Sequence, residues 1–122
     1  MRLLLALALV QATAAALAAP PQLRATELAQ ARDYVLAACV RARYDGTPLA
    51  AEAEAWAGGL VERGSLPGAA YPALAQLARS APPPLQAQDG TAMRLQGCVD
   101  FVHDRGFAAR VQGVLKGIVR RP

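Results

Sequence analysis

The sequence predicts an all-α protein, a small single-domain bundle of about five helices with one disulfide. Apolar residues recur every three or four positions in five separate segments, the spacing of a helix face. No useful length alternates with period two, so no sheet is expected. The two cysteines, Cys39 and Cys98, both fall on the apolar stripes of their own segments.

The chain opens "MRLLLALALVQATAAALAAPPQ". Arg2 is a short positive start, Leu3 to Val10 an apolar core, and Ala16-Leu17-Ala18 a small-x-small cleavage signal, the pattern of a secretory signal peptide. The apolar run is too short to cross about 30 Å of hydrocarbon, so no membrane span is expected. Residues 1–18 are thus expected to be a signal peptide, cut after Ala18, and residues 19–122 one helical domain. An exported chain with one even pair of cysteines is expected to join them. Closing a loop of about 60 residues contributes on the order of 4 kcal/mol.

The elements follow in order. "APPQ" is an extended leader, because proline blocks helix there. Thr26 is the expected cap of a first helix reaching Tyr44, with Leu28, Ala31, Val35, Cys39 and Ala42 inward. In "DGTP", Thr47 is the expected cap of a second helix and Pro48 suits its first position. Its stripe is Leu49, Ala53, Trp56, Ala57 and Leu60, so Trp56 is expected to be buried. Gly58-Gly59 weakens a helix by about 1 kcal/mol per residue, which predicts close packing of another helix, or a kink. "RGSLPG" ends this helix. A third covers Tyr71 to Ser80 with Leu74, Leu77 and Ala78 inward. "APPPLQAQDG" is a loop stiffened by three prolines. A fourth helix starts near Thr91 and carries Leu95, Cys98, Val99 and Val102. Gly106 separates it from a last helix with Phe107, Val111, Val114, Leu115 and Ile118 on one stripe.

Charge is uneven. Every charged residue after Asp104 is basic: Arg105, Arg110, Lys116, Arg120 and Arg121. Such a tail suits an anionic surface or an acidic partner. It equally suits the negative end of a helix.

Close-range Cys98, Asp100, His103 and Asp104 raise the question of chemistry. Cys98 and His103 lie five apart, about 140° around a helix, and zinc needs three or four ligands that this chain does not offer. No metal site is expected. An oxidised cysteine is neither nucleophile nor ligand. No esterase, zinc-protease or phosphate-loop motif is present. Glu52 and Glu54 diverge on their helix. His103 is expected to cap the end of its helix or pack at the rim. Aromatic residues are too few for a base-stacking surface, so no nucleic acid is expected. The residues point to an exported helical binder with no cofactor and no catalysis.

Two blocks carry a resemblance. "DYVLAACVRARY", residues 33–44, and "LQGCVDFVHDRGFAARV", residues 95–111, resemble the immunity proteins of the fourth family of type VI secretion amidase effectors. That family shows a first-helix cysteine in an apolar run ending in tyrosine, then a cysteine block near the C-terminus. Cys98, Asp100 and His103 match that block. Val102 stands where tyrosine is usual, Gly97 replaces a basic residue, and Asp104 replaces serine.

The resemblance implies a periplasmic all-helical inhibitor, a homodimer, that plugs the cleft of a cognate Cys–His peptidoglycan amidase with a projecting helix or loop. The stiff stretches "GSLPGAAYP" and "APPPLQ" are the candidate contacts: Ser65, Leu66, Pro67 and Tyr71 in the first, Pro82, Pro83 and Pro84 in the second. Two other readings stay open. A periplasmic chaperone or adaptor would need an exposed apolar groove. A wall- or membrane-surface protein would use the basic tail.

Overall fold

The computed structural model describes residues 23–119 and places five helices there, with no strand among them. They are α1 (Ala25–Arg43), α2 (Pro48–Arg63), α3 (Ala70–Arg79), α4 (Arg94–His103) and α5 (Phe107–Val119). The expected signal peptide, the "APPQ" leader and the end of the basic tail lie outside the described residues.

Alanine-rich α1 is the hub, packing against all four other helices. Being contacted on several sides, it buries Ala37 and Val40 as well as Ala31, Val35 and Cys39. Ala42, expected inward, is exposed. The helix begins at Ala25 with no side-chain cap, so Thr26 sits within the first turn instead of capping it. The C-terminal end closes with the Tyr44 N–H donating to the Val40 carbonyl at 3.0 Å, and Gly46 takes the positive φ of 78° that turns the chain.

Thr47 caps α2 as its sequence predicts. Its Oγ1 accepts from the Ala50 N–H at 3.3 Å, and Pro48 occupies the first helical position. The buried face is a correction. Ala50 and Ala53 go inward, while Leu49 and Trp56 are 38% and 39% exposed. The contact with α1 runs through the two alanines, and this rotates the apolar stripe partly into solvent. Gly58-Gly59 does not mark close packing of another helix, and α2 continues through both. A side chain at Gly58 would find open space, and one at Gly59 only the mobile end of Arg63.

In α3, Ala70, Tyr71, Leu74 and Ala78 face inward, and Leu77 packs at the edge of the core. The start of α4 is a second correction. It begins at Arg94, three residues after Thr91, because Thr91 and Ala92 belong to the preceding loop. Cys98 and Val102 are fully buried, whereas Leu95 and Val99 stay largely outside. Phe107 and Val111 of α5 are buried, and Val114, Leu115 and Ile118 pack at the margin.

The core gathers Val35, Leu74, Val102, Phe107 and Val111 around the Cys39–Cys98 disulfide, whose Cα atoms lie 5.7 Å apart. It joins α1 to α4. Phe107 meets Phe101 edge-on at 6.1 Å, and Tyr34 meets Tyr71 the same way at 5.0 Å.

Candidate partner-binding surface

Prolines 82–84 have no N–H, so the first part of the α3–α4 connection cannot pair as a regular strand. The chain nevertheless turns back on itself. The Met93 N–H donates to the Leu85 carbonyl at 2.7 Å, and the Ala87 N–H to the Thr91 carbonyl at 2.8 Å. Gln86 faces Ala92 in an isolated antiparallel bridge. The tip closes with the Gly90 N–H donating to the Ala87 carbonyl at 2.9 Å, Gly90 having φ 87°. Asp89 Oδ1 accepts from the Thr91 N–H at 2.9 Å. This bond, with a further one from the Thr91 hydroxyl, holds the Asp89 carboxyl below its usual range. The result is a short hairpin-shaped projection over residues 81–93.

Leu85 is 78% exposed on it, the most exposed large apolar side chain among the described residues. A pinned, water-facing leucine on a proline-stiffened leg suits contact with an apolar recess elsewhere. Beside it lies an open cleft of about 440 Å³, lined by Pro82, Pro83, Leu85, Asp100, Phe101 and Arg110 among others. Asp104 stands at its edge. Its Oδ2 accepts from Arg110 Nη1 at 2.8 Å and from the Gly106 N–H at 3.2 Å. These two bonds, the arginine's first, hold the Asp104 carboxyl below its usual range.

The expected contact residues divide. Pro82 and Pro83 are exposed on the projection and Pro84 is half-buried at its foot. The 64–72 stretch is different, with two of its members inside the core. Leu66 and Tyr71 are core residues, 7% and 6% exposed. Ser65 and Pro67 remain outside, but Ser65 is tied to Gln30, with its N–H donating to Gln30 Oε1 at 2.9 Å. Residues 64–72 thus lead into α3 with Leu66 and Tyr71 in the core, while Pro82, Pro83 and Leu85 of the second stretch are exposed.

Sequence reasoning passed over the return leg and Leu85. The signal was present: Asp-Gly at 89–90 is a hairpin-turn dipeptide. A second apolar surface was also missed. Leu36, Val40, Leu49, Trp56, Leu95 and Val99 line a shallow groove of about 250 Å³ between α2 and α4. His103 ends α4 with an exposed side chain, and the Cys98 sulfur is held in the disulfide in the core.

Residues 29–111 match the family Tai4, type VI secretion system (T6SS) amidase immunity protein. No curated protein and no solved structure matches the chain. The match takes in most of α1, both cysteines, the whole projection and the first residues of α5. Covering well over half of the sequence, it shows that the chain belongs to the Tai4 family of type VI secretion amidase immunity proteins.

Proposed function

We propose that this protein acts in the periplasm, where it binds a cognate type VI peptidoglycan amidase and occludes its cleft with the 81–93 projection, without hydrolysing anything itself. The observation that carries this reading is Leu85, exposed to water at the end of a leg of prolines, with its carbonyl bonded to the Met93 N–H. A plug must arrive ordered, because fixing a loose loop on binding costs about 0.5–1.5 kcal/mol per side chain. Family membership supplies the class of partner, and the expected signal peptide supplies the compartment.

Leu85→Asp tests it. The side chain touches little of its own protein, so the melting temperature should hardly move. As an anchor its loss should cost about 2 kcal/mol of binding, roughly thirtyfold in affinity. The assay is titration of the amidase encoded beside this protein, with co-elution as the second measure. If neither the wild type nor the variant inhibits or co-elutes, the immunity reading fails for this chain. The homodimer is a separate part of the proposal. A chain that sediments as a monomer at micromolar concentration removes the dimer and leaves the plug standing.

The Trp56 groove is the one observation that favours the chaperone reading. At about 250 Å³ it falls below the usual 300–1,000 Å³ of ligand clefts and is too small for an extended client segment. Suppression of client aggregation by this chain, lost in Trp56→Ala, would move that reading ahead.

A further inference from the structure

We infer that Arg43, at the end of α1, is the positioning residue of the 81–93 projection: it latches the proline leg to the body and fixes where the plug points. The inference rests on the plug reading above for its functional consequence, not for its geometry. Prolines leave their neighbouring carbonyls without ladder partners. Arg43 Nη2 donates to two such carbonyls, those of Pro82 and of Ala81, the latter at 3.3 Å. Its Nη1 is buried with no acceptor among the described residues. The guanidinium is therefore held there by packing as well as by its two bonds. A Cβ added at Gly97 of α4 would lie 2.7 Å from Nη1 and 3.6 Å from Pro84 Cα. Gly97 leaves room for the guanidinium.

The return leg ends at the same place. Arg94, the first residue of α4, donates from Nη1 to the Arg43 carbonyl at 2.9 Å and stacks over the Tyr44 ring at 4.4 Å. One turn back along α1, the Cys39–Cys98 disulfide ties α1 to α4. Both feet of the projection thus meet the C-terminal turn of α1. Arg43 is the tie on the proline leg, and a planar fork suits two neighbouring carbonyls better than a point charge does.

Three variants test the latch: Arg43→Met removes it, Gly97→Ala crowds it from the other side, and Arg43→Lys keeps one donor group. The readout is backbone amide relaxation by NMR, which a merely stabilising arginine would not change selectively. In the wild type, amides 86–92 should show order parameters near 0.85, and in Arg43→Met below about 0.6, with Val35, Leu74 and Val102 unchanged. Gly97→Ala should loosen the same amides, and Arg43→Lys should lie between. Inhibition of the amidase should weaken about tenfold in Arg43→Met, as an ordering cost returns to the binding step. If residues 86–92 stay rigid in both Arg43→Met and Gly97→Ala, the latch is wrong, even where inhibition falls. If they loosen while inhibition is untouched, the latch holds and the plug reading fails. Should Arg43→Met not fold, Gly97→Ala and Arg43→Lys decide by the same measure.

Discussion

Two sides of α1 are built from similar-looking helices and end up differently. On one side α3, α4 and α5 enclose Val35, Leu74, Cys98, Val102 and Phe107, all without solvent contact. On the other, α2 offers Leu49, Trp56 and Leu60 at helical spacing, yet buries only Ala50 and Ala53. Periodicity says which residues share a face. It does not say whether a second element covers that face. The α3–α4–α5 stripes converge on a common centre. The α2 stripe instead borders an open groove shared with α1 and α4, and a helix that buries only alanines leaves its large neighbours at the rim.

The sharpest way to break this contrast is a pair of aromatic deletions. Phe107→Ala empties a fully enclosed site and should cost about 3–5 kcal/mol in denaturant unfolding. Trp56→Ala removes a side chain already partly in water and should cost less than about 2 kcal/mol. Equal costs would mean that α2 is as much a part of the core as α5.

The disulfide probes the same division through the unfolded chain. Its sequence separation is 59, and replacing both cysteines by serine should lower stability by about 4 kcal/mol at equilibrium. The loss should fall on the cooperative unfolding of the whole domain. If reduction instead freed α2 alone, with α3–α5 still protected in hydrogen exchange, the two sides would be separate units.

What the sequence made legible follows this line. Five helices, the Thr47 cap, the inward pair Cys39 and Cys98, and the stripes of α3 and α5 could be read from spacing, because each depends on local order or on a face that is fully enclosed. The orientation of α2 could not, since it is set by which face of α1 is free. The projection was half legible. Three prolines marked a stiff segment and Asp89-Gly90 marked a turn. The return leg falls where a fourth helix is expected to start, near Thr91, and tertiary pairing of Met93 with Leu85 overrides that expectation. Arg43 gave no local signal at all. Its partners are 38 and 39 residues away.

Helix starts offer a gentler comparison between the two sides. Thr47→Ala removes the hydroxyl that caps α2 and should cost about 1 kcal/mol in chemical denaturation. A hydroxyl does not titrate, so that cost should be nearly the same at pH 7 and pH 3.

The corner leading into α5 is held by a charge instead, and its contribution should be smaller and pH-dependent. Asp104 accepts from Arg110 and from the Gly106 N–H, on an exposed surface where water and salt screen the pair. Both bonds favour the ionised carboxylate and lower its pKa in the folded state. The unfolded chain, with an ordinary aspartate near 3.9, binds this proton more readily than the folded one. Stability from this group is therefore fully present above about pH 4 and is lost as the pH falls through the lowered folded value. The measurement is the difference in melting temperature between wild type and Asp104→Asn across pH 2 to 7. It should be small and constant from pH 7 to about 5, then shrink toward the acid end, while the Thr47→Ala difference stays level. A difference that grows on acidification would give the linkage the opposite sign and remove the Arg110 pair as its cause.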